Sequence, residues 1–114
     1  MLHSGGSIRP LIPMIIEAGV DALHPLQPDC PGMRPATIAR DFGSSLVLSG
    51  AIDARGALLK GRPDDVPREA RSVLNELAPG SNYIASPSID ALTDDIPLEN
   101  ILALFDEISS YRRF

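Results

Sequence analysis

The stretch that decides the fold is LVLSGAIDARGALLKGRPDDVPREARSVLNELA, residues 46–78. It opens with a continuous apolar run at 46–48, which is typical of a strand in a parallel sheet covered on both faces. Within residues 65–78, apolar side chains recur at the i, i+4, i+7, i+8 and i+11 positions, and this spacing predicts a helix. Asp64 can cap that helix, because Pro67 then falls at N3, where a missing N–H costs no helical hydrogen bond.

The same alternation of strand and helix occurs four times along the chain. We predict strands that end near His3, near His24 or Pro25, near Gly50 and near Ser86. We predict helices over residues 9–18, from Pro35 to a stop at Gly43, over residues 65–78, and after Pro97. Four βα units amount to half of an eight-unit barrel, and an open doubly wound sheet is the competing architecture.

Length, charge and composition limit the classes of function. A chain of 114 residues fits one small domain, whereas a complete α/β barrel takes about 250 residues. With 10 Lys and Arg against 15 Asp and Glu, and no block of like charge, we expect no nucleic-acid partner. The apolar stretches fall far short of the roughly 18 residues of a membrane span, so we expect no membrane partner. The single cysteine, Cys30, indicates a cytoplasmic location.

Short motifs in order and in register carry a resemblance to a known family. In the first part of the chain they are HSGGSIRPLIP at 3–13, IEAGVD at 16–21, Gln27-Pro28 and Gly32-Met33. In the later part they are RDFG at 40–43, SGAID at 49–53, APG at 78–80 and IPLENI at 96–101. Together these segments resemble the second half of the uroporphyrinogen decarboxylase (URO-D) family, over nearly the whole chain.

This resemblance implies a fold and a choice of activities. The family contains the cofactor-free decarboxylase of haem biosynthesis, which acts on the acetate side chains of a tetrapyrrole, and zinc-dependent methyltransferases that work with corrinoid proteins. Both are (β/α)8 barrels, so the resemblance favours an α/β fold of parallel βα units, the C-terminal half of a TIM barrel, with residues 1–114 as one partial domain. It implies a carboxy-lyase that uses no cofactor and binds a tetrapyrrole or another small molecule. A corrinoid-type methyltransferase relative is the alternative.

Chemistry in such barrels takes place at the C-terminal ends of the strands. The candidates there for binding substrate are His3, Gln27, Asp53, Ser86 and Ser88. Asp53 can accept a hydrogen bond from a pyrrole N–H or act as a base, and it can equally accept hydrogen bonds from the amides of the next turn. Gln27 and Ser86 can bind a ligand, although closing a loop is the favoured role for both.

The resemblance also implies where the methyltransferases hold zinc, and this chain departs from that pattern. His3 matches the histidine of their His-x-Cys motif, but Gly5 occupies the cysteine position. Ile89 stands where those enzymes have a further cysteine and where the decarboxylases have a histidine. We therefore assign no metal ligands and predict that the isolated chain does not bind zinc stoichiometrically. A site rebuilt from His3, His24 and Cys30 is the less favoured alternative.

No catalytic residue is assigned within these 114 residues. The resemblance places the key aspartate of the decarboxylases, which holds the pyrrole nitrogens, in the first half of the barrel, so we expect the isolated chain to be inactive. Four arginines near the expected active face are candidates for pairing with the carboxylates of an acidic tetrapyrrole: Arg9, Arg34, Arg55 and Arg62.

A sheet of four parallel strands leaves two unpaired edges and an open inner face. We predict that the apolar residues of that inner face include Ala22, Leu46, Leu48 and Ile84. The isolated chain is therefore expected to form a homo-oligomer or to pair with a first-half barrel partner. A noncatalytic half-barrel that completes a barrel with another chain is the remaining functional alternative.

Overall fold

A computed structural model describes residues 1–80 and 82–111. Four parallel strands form one sheet in the order β1 Leu2–His3, β2 Ala22–Leu26, β3 Val47–Ile52 and β4 Tyr83–Pro87. The helices are α1 Ile12–Glu17, which follows a 3-10 turn at Arg9–Leu11, then α2 Pro35–Phe42, α3 Ala57–Lys60, α4 Asp65–Leu77 and α5 Leu98–Ser110. This α/β fold confirms the predicted alternation and is consistent with half of a (β/α)8 barrel. None of these helices combines the length and the apolar character that crossing a membrane needs.

Three details differ from the expectations. Strand β2 continues through Pro25 to Leu26, one residue beyond its expected end. Helix α3 was not predicted, because four residues are too few to show a periodic pattern. Asp64 makes no side-chain capping hydrogen bond at the start of α4; instead, Oδ2 of Asp65 accepts a hydrogen bond from the backbone N–H of Arg62 at 2.8 Å.

The core lies between the sheet and its helices, in two clusters of buried apolar side chains. The first contains Ile8, Ile12, Leu23, Leu26, Met33, Ile38, Leu46, Leu48, Ala51 and Leu77. The second contains Ile52, Ala54, Leu58, Val66, Ala70, Ile96 and Leu104. Burial of these side chains supplies the main free energy that holds the helices on one face of the sheet.

The inner face of the sheet is more polar than the sequence suggested. Leu46 and Leu48 were expected there, but both are fully buried in the first core cluster, under the helices. Neighbours in a strand point in opposite directions, and Leu48 pairs with Leu23, so the residues beside these two leucines face inward. The inner face therefore carries His3, Ala22, His24, Val47, Ser49, Ile84 and Ser86. Ala22 and Ile84 were expected there, and Ile84 is 48% exposed.

An irregular step in the pairing of β2 with β3 lies near the ends of these strands. The register shifts between Leu23 and Leu26, and Gly50, the partner of Leu26, has a φ of +106°. A Cβ placed on Gly50 would lie 2.7 Å from the backbone nitrogen of Leu26. The hydroxyl of Tyr83 donates a hydrogen bond to the Gly50 carbonyl at 2.6 Å, and burial raises the pKa of this phenol above its ordinary value. Only glycine fits this close approach.

The side chain of Asn100 connects α5 to α3 by hydrogen bonds. Its side chain is fully buried, and Nδ2 donates hydrogen bonds to the carbonyl oxygens of Leu58 at 3.1 Å and Gly61 at 3.0 Å. We expect Asn100→Leu, which removes the amide at similar size, to lower the free energy of unfolding by about 2–3 kcal/mol. Chemical denaturation measures this loss, and Asn82→Ala at an exposed position is the control. A loss no larger than that of the control contradicts the role of Asn100.

Candidate functional site

Two histidines and one aspartate converge at the open face of the sheet. His3 ends β1 and is the register partner of His24 in β2, while Asp90 lies in the segment that follows β4. Nδ1 of His3 lies 2.9 Å from Oδ1 of Asp90 and 3.4 Å from Nδ1 of His24. Nδ1 of His24 lies 3.8 Å from Oδ1 of Asp90. We call these three side chains the His–His–Asp cluster.

Hydrogen bonds between the loops explain why the segment after the last strand meets the first strand. The side chain of Gln27 accepts a hydrogen bond from the backbone N–H of Gly6 at 2.6 Å and donates one to the carbonyl of Ser88 at 3.3 Å. Oγ of the buried Ser88 accepts a hydrogen bond from the N–H of Ala54 at 3.0 Å. These bonds connect the loops after all four strands and fix the chain two residues before Asp90. Gln27 therefore has the loop-closing contacts that were expected as its favoured role, and Ser88 is also held by backbone groups.

Asp53 and Ser86 lie apart from the His–His–Asp cluster. Oδ1 of Asp53 accepts a hydrogen bond from the backbone N–H of Arg55 at 2.9 Å, which is the contact that the turn alternative expects. Oγ of Ser86 in β4 lies 3.1 Å from Oγ of Ser49 in β3. Of the five substrate-binding candidates, only His3 belongs to the cluster.

A separate cavity of about 380 Å³ lies between the loops after β2 and β3 and the helices α2 and α4. Its lining residues are Pro28, Asp29, Arg34, Pro35, Ala51, Asp53, Glu69, Val73 and Glu76. Burial raises the pKa of the Glu69 carboxyl, and the nearby charge of Asp53 raises it further. A hydrogen bond from the N–H of Ala57 acts in the opposite direction and lowers this pKa. Four acidic side chains and one arginine make this cavity a poor match for the carboxylates of a tetrapyrrole.

Two of the four candidate arginines are already paired with carboxylates of this chain. Arg9 binds Asp41, and its guanidinium lies 5.3 Å from the centre of the Phe42 ring. Hydrogen bonds from Arg40 and from Arg9 lower the pKa of Asp41 to about 2. Nη1 of Arg55 lies 2.6 Å from Oδ2 of Asp29. Of the other two, Arg34 lines the cavity and Arg62 is exposed at the start of α4.

Sequence reasoning missed Asp90. Two of the residues considered for a rebuilt metal site, His3 and His24, do come together, but Cys30 is not in the cluster. Sγ of Cys30 instead lies 3.9 Å from oxygens of Gln27 and Asp29. Asp90 follows Ile89 directly in the sequence, so its position was close to one already considered. Its approach to His3 depends on the path of a loop, and no local pattern encodes that path.

The zinc-ligand positions implied by the resemblance do not fit a metal here. A Cβ placed on Gly5 would lie 2.7 Å from Oε1 of Gln27, so a cysteine at this position displaces the side chain that connects the loops. Ile89 is partly buried against the second core cluster. Neither residue offers a donor atom for a metal ion.

Comparison with known proteins identifies a family. The family model described as uroporphyrinogen decarboxylase (URO-D) matches residues 1–111, which include the strands and helices that the structure describes. Neither a curated protein nor a solved structure matches the chain with significance.

Proposed function

Because this chain belongs to the uroporphyrinogen decarboxylase (URO-D) family, we propose that it forms the second half of a barrel that decarboxylates the acetate side chains of a tetrapyrrole. In this proposal the inner face of the sheet is one wall of the substrate site. The four βα units of the first half supply the opposite wall and, by the resemblance, the aspartate that holds the pyrrole nitrogens. The 114-residue chain is inactive without that half.

The proposed activity rests on the family match, and the observation that carries the half-barrel arrangement is an exposed apolar face on the last helix. Leu98, Leu102 and Phe105 of α5 follow the i, i+4, i+7 spacing of one helical face, and they are 68%, 55% and 56% exposed. In a closed barrel the helices form a continuous outer ring, so this side of α5 faces the first helix of the other half. Leu11 and Met14 are also exposed at the beginning of the chain's helical layer, beside the other edge of the sheet. Both places where a first half joins are thus apolar.

The alternatives differ in what they require of this chain. The corrinoid-type methyltransferase relative needs zinc ligands at the positions of Gly5 and Ile89, and neither residue offers a donor atom. Ile89 also replaces the histidine that the resemblance implies for the decarboxylases, so Gly5 is the difference for which the decarboxylase is preferred. The noncatalytic half-barrel shares the same interface and differs only in turnover. The cytoplasmic location expected from the lone cysteine remains a prediction.

The test is an anaerobic assay with uroporphyrinogen, in which the products are oxidised and separated by their number of carboxyl groups. We expect no turnover above buffer for the 114-residue chain or for a four-unit first half of a URO-D decarboxylase, each assayed alone. We expect turnover when the two are mixed. Turnover by the chain alone contradicts the proposed division of the site. Mixing that yields a complex without turnover contradicts the decarboxylase assignment and favours the noncatalytic half-barrel.

A further inference from the structure

Asp90 decides which nitrogen of the His3 ring holds its proton. The carboxylate only accepts hydrogen bonds, and its Oδ1 lies 2.9 Å from Nδ1 of His3. An unprotonated Nδ1 at this distance would set its lone pair against the negative oxygen, so Nδ1 of His3 carries a proton. Nδ1 of His24 lies 3.4 Å from that nitrogen and 3.8 Å from the carboxylate oxygen, so it is the acceptor in the contact between the rings. His3 and Asp90 therefore form the close pair of the cluster.

This pairing leaves the second nitrogen of His3 available. Because Nδ1 keeps its proton beside Asp90, Nε2 is the atom that can give up a proton or take one. Within residues 1–80 and 82–111, the polar contacts of the His3 ring all involve Nδ1, so Nε2 has no partner there. The side chain of His3 is 57% exposed on the inner face of the sheet. A molecule bound against that face can therefore reach Nε2.

The proposed decarboxylation needs a proton donor at this face. When CO2 leaves an acetate side chain, the electron pair of the broken C–C bond must bind a proton to give a methyl group. Histidine is the side chain that ordinarily exchanges a proton near neutral pH, and the described inner face otherwise carries aliphatic side chains and serine hydroxyls. The side chain of His24 is only 19% exposed, against 57% for His3. His3 is thus the better placed of the two histidines.

We propose that His3 is the proton donor of this reaction and that Asp90 is the residue that positions it. The inference rests on the proposed function, because it assigns one step of that reaction. As the C–C bond breaks and CO2 leaves, its electron pair takes the proton from Nε2 of the His3 imidazolium and forms the methyl group. The neutral imidazole then takes a proton from water, so each acetate that loses one CO2 consumes one proton from solvent.

The loops around the pair hold it in place. Directly after His3, the backbone N–H of Ser4 donates a hydrogen bond to the carbonyl of His24 at 2.8 Å, which continues the pairing of β1 with β2. The side chain of Gln27 binds backbone groups of Gly6 and Ser88, and so connects the loop after His3 to the segment before Asp90. Both members of the pair are therefore anchored through their backbones, as a group that delivers a proton must be.

The test is the anaerobic assay of this chain mixed with a four-unit first half of a URO-D decarboxylase, repeated with variants of the pair. We expect His3→Ala to lower kcat at least about 100-fold, and added imidazole to restore part of the lost rate. Asp90→Ala should lower kcat at least about 10-fold with less than about a 3-fold change in KM, because Asp90 orients His3 and does not touch substrate. Asp94→Ala, which changes an exposed aspartate in the same loop, is the matched control and should keep the full rate. Sedimentation should show the same complex for every variant.

Nitrogen NMR of the imidazoles tests the contact between His3 and Asp90 without turnover. The chain has only two histidines, so one variant assigns both rings. We expect the neutral ring of His3 to carry its proton at Nδ1 in the unchanged chain and in Asp94→Ala, and to lose this preference in Asp90→Ala.

The possible failures can be told apart. An unchanged mixture without turnover contradicts the proposed function and this step with it. Turnover that His3→Ala leaves within about 3-fold, or a loss that imidazole does not restore, contradicts the role of His3 and leaves the proposed function standing. Equal rates for Asp90→Ala and Asp94→Ala, or a neutral His3 with its proton at Nε2, contradict the positioning role of Asp90.

Discussion

Gly50→Ala is expected to lower the free energy of unfolding by about 3–5 kcal/mol or to prevent folding altogether. Two effects add at this position. An alanine must adopt the φ of +106° that Gly50 has, which L residues rarely tolerate. Its Cβ would also lie 2.7 Å from the backbone nitrogen and 3.1 Å from the backbone oxygen of Leu26. To relieve this clash, β2 and β3 must separate at the point where the loops of the candidate site begin.

The matched control for this substitution is Gly19→Ala. Gly19 also has a positive φ, +88°, but a Cβ placed on it meets nothing within 4 Å. We expect it to cost about 1 kcal/mol, the backbone effect alone. Chemical denaturation of the two variants separates the effect of strand contact from that of φ. Equal losses for both variants indicate that β2 and β3 do not approach each other as described.

The exposed face of α5 is expected to control association. Replacing Leu98, Leu102 and Phe105 together by glutamine should weaken association of the chain, with itself or with a first half, by at least about 100-fold. Burying these side chains at an interface gains roughly 3–5 kcal/mol by apolar area, and glutamine forgoes most of that gain while keeping a good helix former. Because the three side chains are exposed in the single chain, its helix content should not change.

Sedimentation at several concentrations measures this effect. Ser72→Gln, at an exposed position on α4, is the control for the substitution of a surface residue by glutamine. It should leave association unchanged. A triple variant that associates as tightly as the unchanged chain contradicts the assignment of α5 as a joining surface.

Much of the fold could be predicted because local signals specify it. Proline and glycine residues mark the ends of the strands and helices in each βα unit. The regular spacing of apolar residues in 65–78 predicted a helix, and the structure has a helix at Asp65–Leu77. The faces of the strands could not be predicted in the same way. The run at 46–48 is apolar throughout, so it has no period of two from which to tell the inner face from the face under the helices. Leu46 and Leu48 were assigned to the wrong face for this reason.

The candidate site was predicted less completely, because it depends on contacts between distant loops. The end of the first strand was predicted near His3, and β1 ends at this residue. Asp90 contacts His3 where hydrogen bonds of Gln27 and Ser88 connect the loops, and these bonds join residues that are far apart in the chain. The register irregularity at Gly50 is likewise a property of two strands and has no signature in either one alone.

We propose above that this chain is half of a barrel whose open side is covered by a second half. Sedimentation equilibrium of the 114-residue chain at low micromolar concentration, together with thermal unfolding, tests it most directly. The claim predicts a dimer or a larger species, or a chain that stays in solution only with a first-half partner. A monomer that unfolds cooperatively at this concentration contradicts it.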